Sequence, residues 1–383
     1  MQKILLFIAS LFYFNFLFSK NEIKSWQGIH ETPLSRLEQQ FAEPPVEFAN
    51  HVIWGWEGKM DKKTICNDLD SIKKKGFRAV IFEAGYKLPF KYLSEEWFKA
   101  IRTGVLEAKK RGMKVWIIDE GKYPSGFAGG KFSQERPDLR MQALVIGDTI
   151  QIKRGEVMTN HKIAPEIISA VAVSTSGAPN RTVEINNGKI SFNAGLDDWK
   201  ILLVKSDFRT AVTRAVNNPN GGKDATNSLC DYLNPVAVQQ FIDWTHKQYK
   251  KYLGKELGTT VLGFRGDEPD YAHLPWTPSI VQTFKDTKGY DPTPYLASFF
   301  TASPTIQEQR VKADYWDVWS SLFATHFFKL QADWCAANGV AHITHLNKEH
   351  EMPACVKAEG DYFRALSKVQ IPGVDAIWNQ IWP

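Results

Sequence analysis

The feature that most constrains the fold is a regular alternation of short apolar strands with amphipathic helices, which begins at His51. The pattern predicts a strand from His51 to Trp56, a helix from about Lys62 to Lys75, a strand from Arg78 to Glu83, a helix from Glu95 to Arg111 and a strand from Lys114 to Ile118. Strands that alternate with helices pair in parallel, and the helices cover the sheet. Three such units in succession predict a barrel or a doubly wound sheet.

A different pattern interrupts this alternation between residues 143 and 209. Runs such as Ala170 to Ser174 and Lys200 to Val204 are rich in β-branched residues, and Gly/Pro/Asn turns separate them. Short strands broken by such turns are typical of antiparallel pairing. We therefore expect an inserted antiparallel β module at 143–209, with the two parts of a catalytic barrel at 20–142 and 210–383.

The strand and helix alternation resumes after the module. It predicts a weak strand from Thr210 to Val216, a strand that ends on Asp267, a long helix from about Ile306 to Asn338, and strands from Val340 to His345 and from Val374 to Trp378. Together with the first three strands, these give seven barrel-type strands, whereas a (β/α)8 barrel has eight. The expected fold class is α/β: a (β/α)8 TIM-type barrel, incomplete at seven strands, with the inserted β module.

The N-terminus has the layout of a secretory signal peptide. Lys3 precedes an uncharged apolar run from Ile4 to Phe18, and the small Ser19 stands before the polar Lys20. We expect residues 1–19 to be removed and the protein to be secreted or periplasmic, with no membrane attachment after cleavage. A signal anchor is the alternative, since the run is close to the length of a membrane span.

Charge and cysteine content exclude several other classes. The net charge of +5 is small for 383 residues and the lysines are dispersed, so a nucleic-acid groove is not expected. None of the four cysteines is in a Cys-x-x-Cys pair, which argues against a zinc or thioredoxin-like site. Disulfide pairing is left open.

Two predicted strands stop on adjacent acidic residues, Asp119 with Glu120 and Asp267 with Glu268. The carboxyl ends of parallel strands meet at one rim, where α/β barrels keep their chemistry. A pair of carboxylates at such a rim is the minimum apparatus for hydrolysing a glycosidic bond. The candidate catalytic residues are therefore Glu268, Glu120 and Asp267.

The second acidic pair, Asp267 with Glu268, is the stronger indication of a catalytic site. Side chains alternate along a strand, so only one of Asp267 and Glu268 should point into the mouth of the barrel, and Glu268 has the longer reach. Tyr271 and Trp276 would supply apolar walls that raise a carboxyl pKa, as a general acid requires. The alternative is a pair of exposed loop carboxylates.

The first acidic pair opens a glycine-rich loop over residues 119–130. Its glycines permit close approach to a ligand, and Tyr123 offers a flat face to a sugar ring, with Asp119 beside it. The alternative is a tightly turned structural loop whose carboxylates accept hydrogen bonds from neighbouring N–H groups.

Other polar and aromatic residues at predicted strand ends would complete a sugar pocket. His345, Asn347 and Glu349 share one face if their strand continues, and they suit sugar hydroxyls or a metal, although their spacing matches no specific metal motif. Further residues at strand ends are Trp54, Glu57, Glu83, Tyr86, Asp375, Asn379 and Gln380.

Several motifs together resemble the catalytic barrel of the family-106 glycoside hydrolases, the α-L-rhamnosidases and their relatives, from His51 to the end of the sequence. The loop at 119–130 and the Asp-Glu-Pro strand are the most specific of them. The motifs are Trp54-Gly55-Trp56, residues 119–130, Asp231 to Pro235, Gly263 to Pro269, Pro275 to Thr277, Lys288 to Asp291, Pro372 to Asp375 and Gln380 to Pro383. Trp56 and Asp231 thereby join the substrate-binding candidates.

The resemblance implies inverting cleavage of a terminal α-L-rhamnosyl unit from an oligo- or polysaccharide, with Glu268 as general acid and with bound calcium, whose ligands it does not assign. Family members continue with an eighth strand, which carries a further glutamate, and with β-sandwich domains, whereas this sequence ends at Pro383. The base would then be Glu120 or a downstream residue. The alternatives are a truncated, inactive carbohydrate-binding remnant or gene fragment, and a different glycosidase on the same scaffold.

Overall fold

The computed structural model describes residues 33–209, 213–215, 223–224, 228–269, 271, 274–302 and 304–376. The predicted signal peptide and Gln380 lie outside these residues. No helix of the described part is both long enough and apolar enough to cross a membrane.

Sixteen strands are described, numbered in chain order. They are β1 (His51–Trp56), β2 (Ala79–Ala84), β3 (Lys114–Ile118), β4 (Lys122–Tyr123), β5 (Gln142–Ile152), β6 (Val157–Lys162), β7 (Ile167–Ser174), β8 (Arg181–Thr182), β9 (Lys189–Asn193), β10 (Trp199–Phe208), β11 (Thr213–Ala215), β12 (Lys223–Asp224), β13 (Val261–Asp267), β14 (Pro275–Trp276), β15 (Ala341–His345) and β16 (Ile371–Pro372).

Eleven α-helices are described as well, and a π-helical stretch at Phe323–Phe328 joins two of them. They are α1 (Leu34–Ala42), α2 (Lys62–Lys74), α3 (Glu95–Lys110), α4 (Lys131–Glu135), α5 (Pro235–Trp244), α6 (His246–Leu253), α7 (Ile280–Lys288), α8 (Ile306–Leu322), α9 (Lys329–Ala337), α10 (Met352–Glu359) and α11 (Tyr362–Leu366).

A six-stranded parallel sheet organises the molecule, with the strand order β1-β2-β3-β13-β15-β16. The strands are added in chain order, as in a sheet that winds in one direction. Within the described residues β1 and β16 are not paired, so the structure does not show a complete barrel. The expectation of a mixed α/β chain with a parallel sheet and an antiparallel sheet is confirmed.

Two predicted barrel strands do not occur as expected. The described part of the predicted strand from Thr210 to Val216 is β11, which pairs antiparallel with β4 and β12 in a small separate sheet. Residues 373–376 are outside any strand, and the sheet instead gains the short β16, which pairs with β15. Hydrophobic pattern alone did not show that β11 would pair with the loop after β3.

The two faces of the parallel sheet have different partners. Val80 and Phe82 of β2 belong to the core that α2 and α3 cover, whereas Ile81 packs inside the curve of the sheet with Trp116 and Ile118. The covering helices begin at side-chain caps: Asp61 accepts from the Thr64 amide before α2, and Ser94 accepts from the Trp97 amide before α3. Side chains at alternate positions therefore point either to the helices or to the concave side.

The antiparallel sheet has the order β14-β5-β10-β7-β8. Leu144 and Val204 on one of its faces share a core with Phe299 and Tyr315 from the helical part of the chain. Its other face forms a separate core, with Trp199 against Phe192 of the two-stranded antiparallel sheet β6-β9. The module is thus packed onto the α/β part through a common core.

Candidate active site

A buried imidazole and three carboxylates meet at the carboxyl edge of the parallel sheet. His345 ends β15 and Asp267 ends β13, and the two are register partners. The Nε2 atom of His345 lies 3.6 Å from Asp267 Oδ1, 3.6 Å from Glu268 Oε1 and 3.8 Å from Asp375 Oδ2. The His345 side chain is 6% exposed and the three carboxylates are 22%, 23% and 25% exposed. We call Asp267, Glu268, His345 and Asp375 the acidic cluster.

Arg265 fixes the orientation of this imidazole. Its Nη1 lies 3.4 Å from Asp267 Oδ1 and its Nη2 lies 3.4 Å from His345 Nδ1. A guanidinium can only donate, so Nδ1 accepts and the proton of the neutral ring is on Nε2. The N–H edge of His345 therefore faces the carboxylates.

Both residues of the second acidic pair reach His345, and the prediction that only one would point inward was wrong. Asp267 lies at the end of β13, while Glu268 has a positive φ of 37° just beyond it. The left-handed backbone at Glu268 breaks the alternation that the strand imposes, so that two successive carboxylates lie on the same side.

Glu120 is a structural residue of its loop, and the prediction that it could act as base was wrong. Its Oε1 accepts hydrogen bonds from the amides of Gly121 at 2.6 Å and Gly129 at 2.9 Å, and its Oε2 accepts one from Ala128. The residue is 1% exposed, and this burial raises its pKa to about 7 in spite of the three amides. The alternative interpretation, a tightly turned loop whose carboxylates accept hydrogen bonds from neighbouring N–H groups, describes Glu120 correctly.

Ser125 connects the glycine-rich loop to the acidic cluster. Its hydroxyl donates to Asp119 Oδ1 at 2.7 Å and accepts from the Asp267 amide at 2.6 Å, while its own amide donates to the Asp267 carbonyl at 2.9 Å. Asp119 is fully buried, and burial raises its pKa well above the usual value. Asp119 is thus linked to the Asp267 backbone through Ser125.

Burial also raises the pKa of Asp267, although the positive charge of Arg265 opposes the rise. Glu268 and Asp375 add to it, because like charges disfavour ionisation of a neighbour. A proton is therefore held more readily in this cluster than on a solvated carboxyl group.

Two of the predicted substrate-binding residues come together beside the cluster. The side-chain amide of Asn347, two positions after His345, donates to the Tyr123 hydroxyl at 3.1 Å. Both side chains are half-buried. Glu83, also half-buried, lies near the end of β2 opposite Gly55 of β1, on the concave side with Ile81.

Trp56 of β1 is a core residue and Trp54 is half-buried against the same core, which corrects the prediction that they are sugar platforms. Trp56 is fully buried, with its ring 5.0 Å from Phe82 and 5.7 Å from Trp97. Trp54 lies on the same side of the strand, 5.5 Å from Phe82. Both occupy the alternate positions of β1 that face the covering helices.

Asp231, Tyr271 and Trp276 are also part of the core, so the expectation that two of these rings would wall the Glu268 carboxyl was wrong. Tyr271 is fully buried and its hydroxyl donates to Asp231 Oδ1 at 3.1 Å. Burial raises the pKa of Asp231 to about 6. Trp276 is 7% exposed within the core that joins the β module to the helices.

Sequence reasoning missed Arg265 and Ser125 and named Asp375 only as one of several strand-end residues. A signal for Arg265 was present, because a charged residue two positions before Asp267 on a strand must share its face. Ser125 stands within the glycine-rich loop, and nothing in the sequence indicates that its hydroxyl lies between two acidic residues.

Three residues of the acidic cluster carry side chains that can ligate a metal ion. Glu268, His345 and Asp375 place one potential ligand atom each within 4.8 Å of one another. Calcium takes six to eight oxygen ligands, whereas this set offers two carboxylates and an imidazole whose N–H edge is turned toward them. These residues do not fit calcium, and no step below depends on it.

Comparisons with known proteins were made for the whole chain. A protein of Formosa agariphila with a provisional beta-glucuronidase name is 24% identical over 360 residues, which cover 80% of this chain and 30% of the relative. The solved structure of a rhamnosidase from a Novosphingobium species has a TM-score of 0.62 at 14% identity, covering 87% of this chain and 49% of the rhamnosidase. This structural likeness concerns the fold alone. The chain thus spans less than a third of the curated relative and about half of the solved structure.

A family profile described as alpha-L-rhamnosidase, that of glycoside hydrolase family 106, matches residues 156–381. The match includes β13, β15 and all four residues of the acidic cluster. It covers more than half of the chain, and the resemblance seen in the sequence motifs is confirmed: this protein belongs to glycoside hydrolase family 106, the alpha-L-rhamnosidase family.

Proposed function

We propose that this chain carries the acid half of the catalytic apparatus of an exported glycoside hydrolase that removes terminal α-L-rhamnosyl units from an oligo- or polysaccharide by inversion. The observation that carries the proposal is the acidic cluster, in which Glu268 and two further carboxylates surround His345 at the carboxyl edge of a parallel sheet. This edge is where α/β enzymes place their reacting groups.

Glu268 is the proposed general acid. Its carboxyl group is partly exposed, so a leaving-group oxygen can approach it, while His345 behind it is almost fully buried. The raised pKa of Asp267 supports the retention of a proton within the cluster. An acid in this position would donate its proton to the glycosidic oxygen as the C–O bond breaks, and the sugar would depart from that oxygen as an oxocarbenium-like species.

The spacing of the carboxylates bears on the identity of the base. An inverting pair is separated by roughly 6.5–9.5 Å so that water fits between the two groups, but ligand atoms of Glu268 and Asp375 lie within 4.8 Å of each other. Asp375 is too close to be the inverting partner, and Glu120 is enclosed by its own loop. We propose that the base is a carboxylate other than these two.

The proposed sugar and the proposed location of the protein are supported by different observations. The family description and the motif resemblance support α-L-rhamnosides, whereas the name of the Formosa agariphila relative makes a β-glucuronoside the competing substrate. Tyr123 and Asn347 are the proposed hydroxyl-binding residues beside the cluster. The apolar run from Ile4 to Phe18 supports export to the periplasm or the medium.

The test is hydrolysis of an α-L-rhamnosyl disaccharide followed by proton NMR. We expect rhamnose to appear first as the β-anomer, and we expect Glu268→Gln to abolish its release while Glu166→Gln, an exposed control in the β module, leaves it intact. Release of the α-anomer first would contradict inversion. Unchanged turnover in Glu268→Gln would contradict the role of this residue.

A second candidate function is carbohydrate binding without hydrolysis. It is favoured by the lack, among the described residues of the cluster, of a second carboxylate at the inverting distance. In that case the chain would bind rhamnosides with a measurable Kd and release no sugar. Calorimetric titration with the disaccharide, run beside the NMR assay, separates the two functions.

A further inference from the structure

A large groove lies outside the acidic cluster, between the antiparallel sheet and α8. Its volume is about 970 Å³, within the range of small-molecule sites. We call it the aromatic groove, and its main lining residues are Phe208, Leu274, Phe300, Lys312, Trp316 and Lys357.

The rings in this groove remain partly open to solvent. Phe208, at the end of β10, is 42% exposed, and the guanidinium of Arg140 lies 4.4 Å from its ring centre. Trp316 of α8 and Phe300 are half-buried, and the indole nitrogen of Trp316 donates to the Val356 carbonyl at 3.3 Å. Rigid flat rings of this kind provide apolar contact area at low entropic cost, and the C–H faces of sugar rings match them.

The charges along the groove are mainly positive. Lys357 is exposed and makes no ion pair within the described residues, and the Lys312 ammonium group lies 5.6 Å from the Trp316 ring centre. Asp207 is the one acidic residue of the described lining, and Lys205 already pairs with it at 3.6 Å. Two ammonium groups are therefore available to an anionic ligand.

The cations of the groove suit negative charges that are spaced along a polymer. Arginine forks bind carboxylates and tetrahedral oxyanions bidentately, but Arg209 donates to the Tyr271 carbonyl, and Arg140, which is not among the lining residues, lies against the Phe208 ring. The remaining cations, Lys312 and Lys357, are separate point charges on two helices, which suits single carboxylates on successive sugar units.

The groove is connected to the candidate active site through two chain segments. Leu274 follows Glu268 in the connection between β13 and α7, and Arg209 holds this connection at Tyr271. Lys357 lies on α10, whose Glu359 accepts the Asn347 amide at 2.9 Å. A ligand in the groove would thus contact the connection between β13 and α7 and also α10. Both segments extend to the candidate active site.

We propose that the aromatic groove is a non-catalytic binding site for a uronic-acid-containing stretch of polysaccharide, with sugar faces on Phe208 and Trp316 and carboxylates at Lys312 and Lys357. This inference rests on the proposed function in one respect, because it takes the substrate to be a polysaccharide. Asp207, the one acidic residue of the described lining, is held in an ion pair, and we assign the groove a binding role only.

Native gel electrophoresis through polygalacturonate tests the proposal with the full chain. We expect the polymer to retard the wild-type protein, and we expect Lys312→Glu/Lys357→Glu to raise the apparent Kd roughly tenfold. The matched control is Lys162→Glu/Lys200→Glu, which changes the charge equally at two exposed lysines of the β module outside the groove. Phe208→Ala should weaken retardation without any change of charge.

Several results would overturn the assignment: no retardation of the wild-type protein, equal losses in the two double variants, or retardation by dextran or dextran sulfate that equals or exceeds that by polygalacturonate. Turnover of a small aryl α-L-rhamnoside should be the same in Lys312→Glu/Lys357→Glu as in the wild type. That assay reports on the proposed function separately, so failure of one proposal can be distinguished from failure of the other.

Discussion

Two glutamates at the ends of neighbouring strands differ in exposure and in hydrogen-bond partners. Glu268 is 23% exposed and faces the imidazole of His345. Glu120 is sealed from solvent and accepts hydrogen bonds from three amides of its own loop. Exposure and partners, and not residue type, decide which carboxyl group is available to a substrate.

The buried Glu120 leads to a prediction about pH. Burial raises its pKa from 4.5 to about 7 in the folded protein, so the folded state binds this proton more tightly than the unfolded state does. Its contribution to stability is complete below about pH 4.5 and is lost as the pH rises to about 7, a change on the order of 3 kcal/mol.

Urea unfolding between pH 4.5 and pH 7.5 measures this contribution. In Glu120→Gln the corresponding part of the pH dependence should disappear, because the amide does not titrate, and the variant should also lose about 1–3 kcal/mol at low pH since its NH2 group opposes a loop amide. An unaltered pH profile in the variant would contradict the assignment of Glu120.

Sequence reasoning misplaced the residues whose side-chain positions depend on the local backbone conformation. The alternation rule worked for β1 and β2 but failed at Glu268, where a positive φ places two successive carboxylates on one side. Glu120 was misread because the glycine-rich loop folds back over it. Tyr271 was assigned to the pocket from residue type and Trp56 from the motif resemblance, and no local signal showed that both are buried in the core.

At the scale of secondary-structure elements, Ser125 joins the loop after β3 to the end of β13. Its hydroxyl and its amide make three hydrogen bonds to Asp119 and Asp267. This connection sets where Asp267, and with it Glu268, leaves the sheet. Ser125 is therefore a positioning residue.

Removing this hydroxyl should lower turnover as well as stability. In Ser125→Ala we expect kcat on an aryl α-L-rhamnoside to fall about tenfold with little change in KM, because a misplaced acid weakens the transition state more than binding. The free energy of unfolding should fall by about 1–3 kcal/mol, since the Asp267 amide loses its acceptor.

Ser133→Ala is the matched control for this variant. The Ser133 hydroxyl accepts from the Ser228 amide at 3.0 Å, away from the acidic cluster. Its loss should lower stability without lowering kcat. Equal kcat in Ser125→Ala and Ser133→Ala would show that Ser125 has no positioning role.

The elements themselves were largely predictable from the sequence. The helix expected from Ile306 to Asn338 is present as α8, the π-helical stretch and α9, because its apolar pattern persists over its whole length. The β module was visible from its turns and its period of two. Strand pairing was the part that failed, since the partner of β11 is the short β4, far away in the sequence.

At the scale of the whole molecule, a common core joins the β module to the helical part. Leu144, Leu202 and Val204 of the module pack in one cluster with Phe299 and Tyr315. Elements that share a core lose their packing together. The module should therefore not unfold independently of the parallel sheet.

Differential scanning calorimetry tests this coupling. We expect a single transition with a ratio of van't Hoff to calorimetric enthalpy of about 1. Leu202→Ala, which truncates a side chain in the shared core, should shift the whole transition down by about 2–5 kcal/mol of stability. Two resolved transitions, with only one of them moved by Leu202→Ala, would contradict the common core.

The central claim, that Glu268 donates the proton to the leaving group, is tested most directly by the dependence of the Glu268→Gln defect on that group. A 4-nitrophenolate departs without protonation, whereas a sugar alkoxide needs a proton. We predict that kcat/KM falls by roughly 10²–10⁴ on an α-L-rhamnosyl disaccharide and far less on 4-nitrophenyl α-L-rhamnoside. Equal losses on the two substrates, or no loss on the disaccharide, would contradict the claim.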